Sequence, residues 1–268
     1  MQSSGNKIRL IVRGDDMGSL HSCNLAITKA FQEGILTCAA ILAPAPWARE
    51  ATEIAKANPS WCIGVHLAVI GEWRGYPWRP VLPYDQVSSI TDEDGFLFRS
   101  PREFFGNRPN YAEVKRELKA QIDLVVKWGV DPCYLDVHYI GDREKTVEAN
   151  KFRDVIKELS KEYALPVSGH SGEKIVPGVY TFAPAEKEAI LAGQLEELTP
   201  GLWLLVDHLL VDSPESQALI HSKPSDVMPE GVGNHRLAEL RCLLSPKIKE
   251  IVKRKGIKLV SYRTFRNE

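Results

Sequence analysis

The sequence predicts an α/β protein with a parallel sheet and covering helices, arranged as a barrel or as an open doubly wound sheet. Two observations predict it. Short apolar runs alternate with longer amphipathic ones along the 268 residues, and a repeated strand-then-helix order makes neighbouring strands parallel. That length also lies in the range that (β/α) barrels occupy as one domain, so residues 1–268 are expected to form a single domain.

The elements follow in order. Ile8–Val12 reads as the first strand, followed by a polar turn over Arg13–Gly18. From about Leu20 to Glu33, Leu25, Ala26, Ala30 and Phe31 recur at helical spacing, and Gly34 supplies the stop. Cys38–Leu42 is a strand, Trp47–Ala57 a helix closed by Asn58-Pro59, and Cys62–Leu67 the third strand. Periodicity disappears between Val69 and Asn110, where five prolines stand (Pro77, Pro80, Pro83, Pro101, Pro109). So long a structureless loop is unusual in a compact domain, which points to a functional insertion with short elements of its own. Tyr111–Trp128 is the clearest helix, with Val114, Leu118, Ile122 and Val125 on one stripe. Cys133–Val137 is the fourth strand and Val147–Tyr163 a helix. Leu165–Val167, Leu202–Val206 and Ile257–Val260 read as strands, Ala183–Leu191 and Leu237–Arg254 as helices, the last interrupted at Pro246.

Several function classes are excluded by composition. Lys and Arg number 34 against 35 Asp and Glu, a net charge of −1, so neither nucleic acid nor an anionic membrane is the expected partner. No apolar run reaches the ~20 residues of a membrane helix. The first residues lack the pattern of a signal peptide. The five cysteines (Cys23, Cys38, Cys62, Cys133, Cys242) form no CxxC pair and read as buried thiols of a reducing compartment. A cytoplasmic protein is expected. A dinucleotide site is not, because two carboxylates stand after the first strand where a Gly-rich phosphate turn would be needed.

The chemistry gathers at strand ends. Asp15 and Asp16 follow the first strand, His66 lies near the end of the third, His138 closes the fourth, and His208 follows Leu204–Asp207. Taken singly these are ordinary: an acidic pair often caps a helix, and a lone histidine often belongs to the core. In a parallel α/β fold, however, all C-terminal strand ends share one face. One carboxylate with two imidazoles makes a metal site that leaves positions open for water and substrate. Adjacent Asp residues suggest a division of labour, one as ligand and the other as base. Asp136 shares strand parity with His138 and could orient it.

Several segments together resemble the YdjC-like carbohydrate deacetylases. These are Gly14-Asp15-Asp16-Met17-Gly18, Gly64-Val65-His66-Leu67, Lys115–Asp123, Leu135-Asp136-Val137-His138, Asp207-His208 and Arg236-Leu237-Ala238-Glu239-Leu240. The resemblance implies a distorted, TIM-like (β/α) barrel holding one divalent metal, Zn²⁺ or Mg²⁺, and removing an acetyl group from an N-acetylated sugar. It implies that Asp16, His66 and His138 bind the metal, that Asp15 is the general base, and that His208 is the general acid or oxyanion stabiliser. The chain departs from the family pattern in four places. Arg13-Gly14 stands before the carboxylates where a small residue is usual, and Tyr139 and Ile140 follow His138 where further histidines are common. Leu165–Val167 leads into Ser168 where an Arg is common, and Leu209 follows His208 where a Pro is common. The three implied metal ligands are intact, and the departures bear on the substrate and the acid.

Within the insertion, Trp73, Tyr76 and Trp78 concentrate aromatic faces that could stack on a sugar, or pack a lid or a homodimer contact. A small saccharide is the expected partner. Two alternatives stay open: hydrolysis of another bond such as a phosphoester, for which Arg13, Arg74 and Arg79 would be clamps, and a catalytically reduced saccharide-binding protein.

Overall fold

The computed structural model describes residues 7–140, 146–221, 228 and 231–265. In chain order the elements are β1 (Ile8–Met17), α1 (His21–Glu33), β2 (Cys38–Ile41), α2 (Ala48–Ala57), β3 (Cys62–Leu67), α3 (Tyr84–Val87), α4 (Pro101–Gly106), α5 (Tyr111–Lys127), β4 (Leu135–Val137) and α6 (Val147–Tyr163). They continue with β5 (Lys174–Ile175), α7 (Lys187–Glu196), β6 (Gly201–His208), α8 (Pro214–Gln217), α9 (Val232–Leu244), α10 (Pro246–Arg254) and β7 (Lys258–Leu259).

The sheet is seven-stranded, ordered β4-β3-β2-β1-β6-β5, with β7 beside the first half of β1. Every strand pair is parallel. The sheet curls. β1 and β4 are separated by two strands, roughly 14 Å along a flat sheet, yet Arg13 of β1 reaches Asp136 of β4 at 2.5 Å across the concave side. It does not close: the segment after α6 touches β4 through a single bridge, Leu135 to Val167, and β5 is two residues long. The result is an open, distorted barrel wrapped by helices.

Two buried clusters follow from strand alternation. Leu10 and Val12 face the helices and join the larger one. Ile11, Cys38, Ala40, Cys62, Leu202 and Leu204 face inward, with Tyr134 and Tyr262. The inward residues of β2 and β3 are small because Tyr134 fills their space. A Cβ on Gly64 would stand 2.7 Å from the Tyr134 ring.

Three sequence expectations are corrected. β1 runs on to Met17, so Arg13–Asp16 belong to the strand and not to a turn. Their polarity disguised this, because the inward face of the strand meets paired charges instead of solvent. Leu165–Val167 is reduced to its one bridge. The helix placed at Ala183–Leu191 starts at Lys187 and extends to Glu196, since Ala183 precedes Pro184, which disfavours helical backbone.

The stretch 69–110 holds α3, α4 and a 3₁₀ turn at Ser88–Ile90. It is pinned from α5. Glu117 accepts the backbone N–H groups of Val81 and Leu82 at 2.8 and 3.0 Å, and Gln121 brackets the backbone of Ala68 on both sides. The Lys115–Asp123 motif therefore fixes where the chain goes after β3.

Candidate metal centre

The site is assembled at the C-terminal ends of β1, β3, β4 and β6. Strict alternation would send Asp15 and Asp16 to opposite faces. A bulge prevents it: between the pairs Gly14–Ala39 and Met17–Ile41, β1 spends one more residue than β2, and Asp16 takes the left-handed backbone, φ 64°. Such a conformation costs roughly 1–3 kcal/mol in a residue other than glycine, Asp being among the more tolerant, and it collects at functional sites. Here it turns both carboxylates to the same side. Gly18 completes the turn, and a Cβ there would meet the Ala48 backbone at 2.9 Å.

Three ligand atoms converge. Asp16 Oδ1 lies 3.4 Å from His66 Nε2 and 3.1 Å from His138 Nδ1, and the two nitrogens are 3.2 Å apart. Ligands about 2.1 Å from one ion are separated by about 3.0 Å in octahedral and about 3.4 Å in tetrahedral geometry, so the triangle has the size an ion requires. Asp16 Oδ1 is buried and faces the two imidazole nitrogens. The far nitrogen of each imidazole faces a carboxylate: His66 Nδ1 stands 2.8 Å from Asp136 Oδ2, and His138 Nε2 stands 2.6 Å from Glu72 Oε2. Carboxylates behind both imidazoles orient them and raise their basicity as ligands. Asp136 thus orients His66, its cross-strand neighbour, instead of the His138 that strand parity suggested.

A second acidic group, Asp15 with His66 and Asp136, also has ligand-like spacing. Its cation is already present. Arg13 donates to both oxygens of Asp15 at 2.6 and 2.7 Å, to Asp136 at 2.5 Å and to Ser168 at 2.6 Å. Arg236, stacked 4.9 Å over the Trp73 ring, donates to Asp16 Oδ2 at 2.7 Å. Four carboxylates (Asp15, Asp16, Asp136, Glu72) therefore face two guanidinium groups. The two remaining negative charges match one divalent cation.

Without an ion, protons take its place. Burial opposes charge on both rings, but Asp15, Asp136 and Asp16 hold His66 up at about 9, and Glu72 and Asp16 hold His138 up at about 10. An ion must displace these protons. Its binding is expected to release close to two protons below pH 8 and to tighten as pH rises, levelling off above about 10. Calorimetry in buffers of different ionisation enthalpy measures the count, and pH-independent affinity would contradict the charge balance. Glu72→Gln keeps shape but removes the carboxylate behind His138, so ion affinity is expected to fall about 10- to 100-fold, read by competition with a chelating dye.

His208, last residue of β6, pairs in register with Asp15. Its Nε2 lies 3.9 Å from Asp15 Oδ2, and at 24% its side chain is more exposed than that of Asp15. Burial, then the nearby Arg236, push its pKa down. Its backbone N–H is held by Glu239 at 2.8 Å, and Glu239 is neutralised by the buried Lys187, also at 2.8 Å.

A cavity of about 430 Å³ opens over these groups, with Tyr139, Tyr180, His221 and Met228 among its walls. Trp73 and Trp78 do not line it. Each is 1% exposed, Trp73 under Arg236 and Trp78 5.6 Å from the His138 ring. Tyr76 is half-buried and donates to the Ser19 carbonyl at 2.9 Å. The structure thus brings together Asp15, Asp16, His66, His138 and His208, and sets the three insertion aromatics behind or beside them. Sequence reasoning missed Glu72, which lies in an aperiodic loop, and gave Arg13 no inward partner. The cysteines are all buried and unpaired as disulfides. Burial pushes the Cys23 thiol, close to Asp16, up to about 12, which removes it as a nucleophile. No described helix is long and apolar enough to cross a membrane.

Comparison with known proteins is consistent along the chain. The YdjC-like protein family matches residues 9–254. A carbohydrate deacetylase from Geobacillus stearothermophilus is 26% identical over 261 residues, covering 95% of this chain and 97% of that one. A carbohydrate deacetylase from Thermus thermophilus is 28% identical over 239 residues, covering 80% and 82%. Among solved structures, one from Enterococcus faecalis V583, provisionally described as a cellobiose-phosphate cleavage protein, superposes with a TM-score of 0.75 at 23% identity, covering 97% of this chain and 99% of that one. A family 4 carbohydrate esterase from Streptomyces lividans shares the fold more distantly, with a TM-score of 0.52 at 11% identity over 97% and 96% of the two chains.

Proposed function

This chain belongs to the YdjC-like protein family, and from that premise we propose that it is a divalent-metal-dependent hydrolase removing the acetyl group from an N-acetylated saccharide. The observation that carries the reading is the triangle of Asp16, His66 and His138 with a second carboxylate, Asp15, beside it. Its full-length relatives carry the name carbohydrate deacetylase, which supports the substrate class.

In this reading Asp16, His66 and His138 hold the ion, either Zn²⁺ or Mg²⁺. A bound divalent ion supplies Lewis acidity toward the acetyl carbonyl and toward water. Asp15 is the base: its carboxylate, held on both oxygens by Arg13, accepts the proton of the attacking water and passes it to the departing amine. His208, kept uncharged at neutral pH by burial and Arg236, donates an N–H hydrogen bond to the oxyanion. Tyr139, Tyr180 and His221 offer the sugar-facing surfaces at the mouth, with Trp73 packed against His221 and Trp78 against His138. Residues 1–268 act as one cytoplasmic domain, and a homodimer through the insertion is compatible with this. The phosphoester alternative loses its innermost clamp, because Arg13 is wholly engaged by Asp15, Asp136 and Ser168.

The test is acetate release from N-acetylglucosamine and its short oligomers, with Zn²⁺ or Mg²⁺ and after chelation. Metal-dependent acetate release supports the reading. Saccharide binding without acetate release from any of them would replace it with the binding-protein reading.

A further inference from the structure

A second cavity, of about 520 Å³, lies between α6 and the seam where the sheet fails to close. Its origin is topological. The segment after α6 makes one bridge to β4, so α6 has no full strand beneath it, and Phe152 and Ile156, themselves buried at 2% and 5% exposure, form part of the wall of the gap. The volume lies in the range of small-molecule sites, which are largely apolar with a few placed polar groups.

The walls divide by chemistry. Val137, Phe152, Ile156 and Val167 make an apolar interior. Arg153, Lys157 and Lys161 stand at the rim, four residues apart on α6 and therefore on one helix face. Among the described lining residues Asp136 is the one carboxylate, and its charge is met by Arg13 at 2.5 Å and His66 at 2.8 Å. Lys157 shares Asp154 at 3.3 Å, both side chains about two-thirds exposed, a contact worth little in water. Among the described lining residues, no free carboxylate stands opposite Lys157 and Lys161.

We propose that this cavity is a second small-molecule site, distinct from the metal centre, that takes an anion with an apolar body: a carboxylate or phosphate head at Lys157 and Lys161, and a hydrocarbon or aryl tail against Phe152 and Ile156. Neither a neutral saccharide nor a cation fits that division. The two cavities share Val137 in their walls, and Asp136 stands between them, so an occupant here adjoins the Arg13 and His66 contacts of the metal site.

The test is calorimetric titration of the ion-free full chain with hexanoate, hexyl phosphate, butyrate and hexanol. Chelation removes the ion as an anion ligand, and a variant lacking both His66 and His138 removes the imidazolium charges that replace it. Hexanoate or hexyl phosphate is expected to bind, the preferred one identifying the head group. Butyrate is expected to bind about tenfold or more weakly, since each buried methylene contributes up to about fourfold. Lys157→Glu with Lys161→Glu, both exposed positions, is expected to weaken the anion at least tenfold while leaving acetate release and hexanol binding unchanged. The double variant His66→Ala, His138→Ala is expected to retain the binding. Hexanol binding as tightly as hexanoate, charge reversal without effect, loss in the histidine variant, or no binding of either anion would each overturn the proposal.

Discussion

Replacing His66 and His138 together by alanine is expected to leave a folded protein that holds no stoichiometric ion and releases acetate on the order of 10³-fold more slowly or worse. The reasoning is electrostatic and geometric. Two of the three converging ligand atoms disappear, and Asp16 alone cannot compete with water for a divalent ion. An ion that polarises an amide carbonyl supplies several kcal/mol of barrier reduction, and about 1.4 kcal/mol is tenfold in rate. Elemental analysis of the purified variant beside wild type reads the first expectation, an acetate assay the second, and circular dichroism checks the fold. Equal ion content in both proteins would move the centre away from this triangle.

Arg13→Met is the second large effect, expected to destabilise the protein by about 3–5 kcal/mol. Methionine roughly fills the volume but leaves Asp15 and Asp136 buried without their cation. Removing one member of a buried charge network costs far more than the network is worth, because the remaining charges lose compensation. The melting temperature should fall by roughly 10 °C in a chain of this size. The sign of the pH dependence is diagnostic. In wild type Arg13 is the leading influence holding Asp136 below the usual carboxylate range against burial, which stabilises the fold above the unfolded Asp value and is lost as pH falls. In the variant that carboxylate loses its main support and titrates higher than in wild type, so the variant's deficit should shrink from pH 7 toward pH 4 as the acids protonate. A deficit constant with pH would mean lost packing and not lost compensation. Adding Asp136→Asn should recover part of the stability.

Arg13 early in the chain and Ser168 late in it are two of the departures from the family pattern. The structure joins them, with Ser168 Oγ accepting from Arg13 and meeting Tyr262 Oη at 2.6 Å. Nothing in sequence spacing could pair residues 155 apart. Glu72 illustrates the same limit. It sits in a loop with no periodicity, and its position depends on Gly71 bonding to Phe98 and on Trp73 pairing with His221.

Local patterning determined most of the elements. Cys62–Leu67 and Val147–Tyr163 stand where apolar periodicity put them, because strands and helices with one buried face carry that face in their residue order. The order of strands and helices determined a parallel sheet, and with it the meeting of Asp15, Asp16, His66, His138 and His208 at one end. Tertiary structure alone decided what those residues face. A barrel interior admits charge only where charges compensate one another. The polar run Arg13–Asp16 could therefore be a buried strand only once Asp136, Ser168 and Arg236 had been brought to it, from β4, from the segment after α6 and from α9.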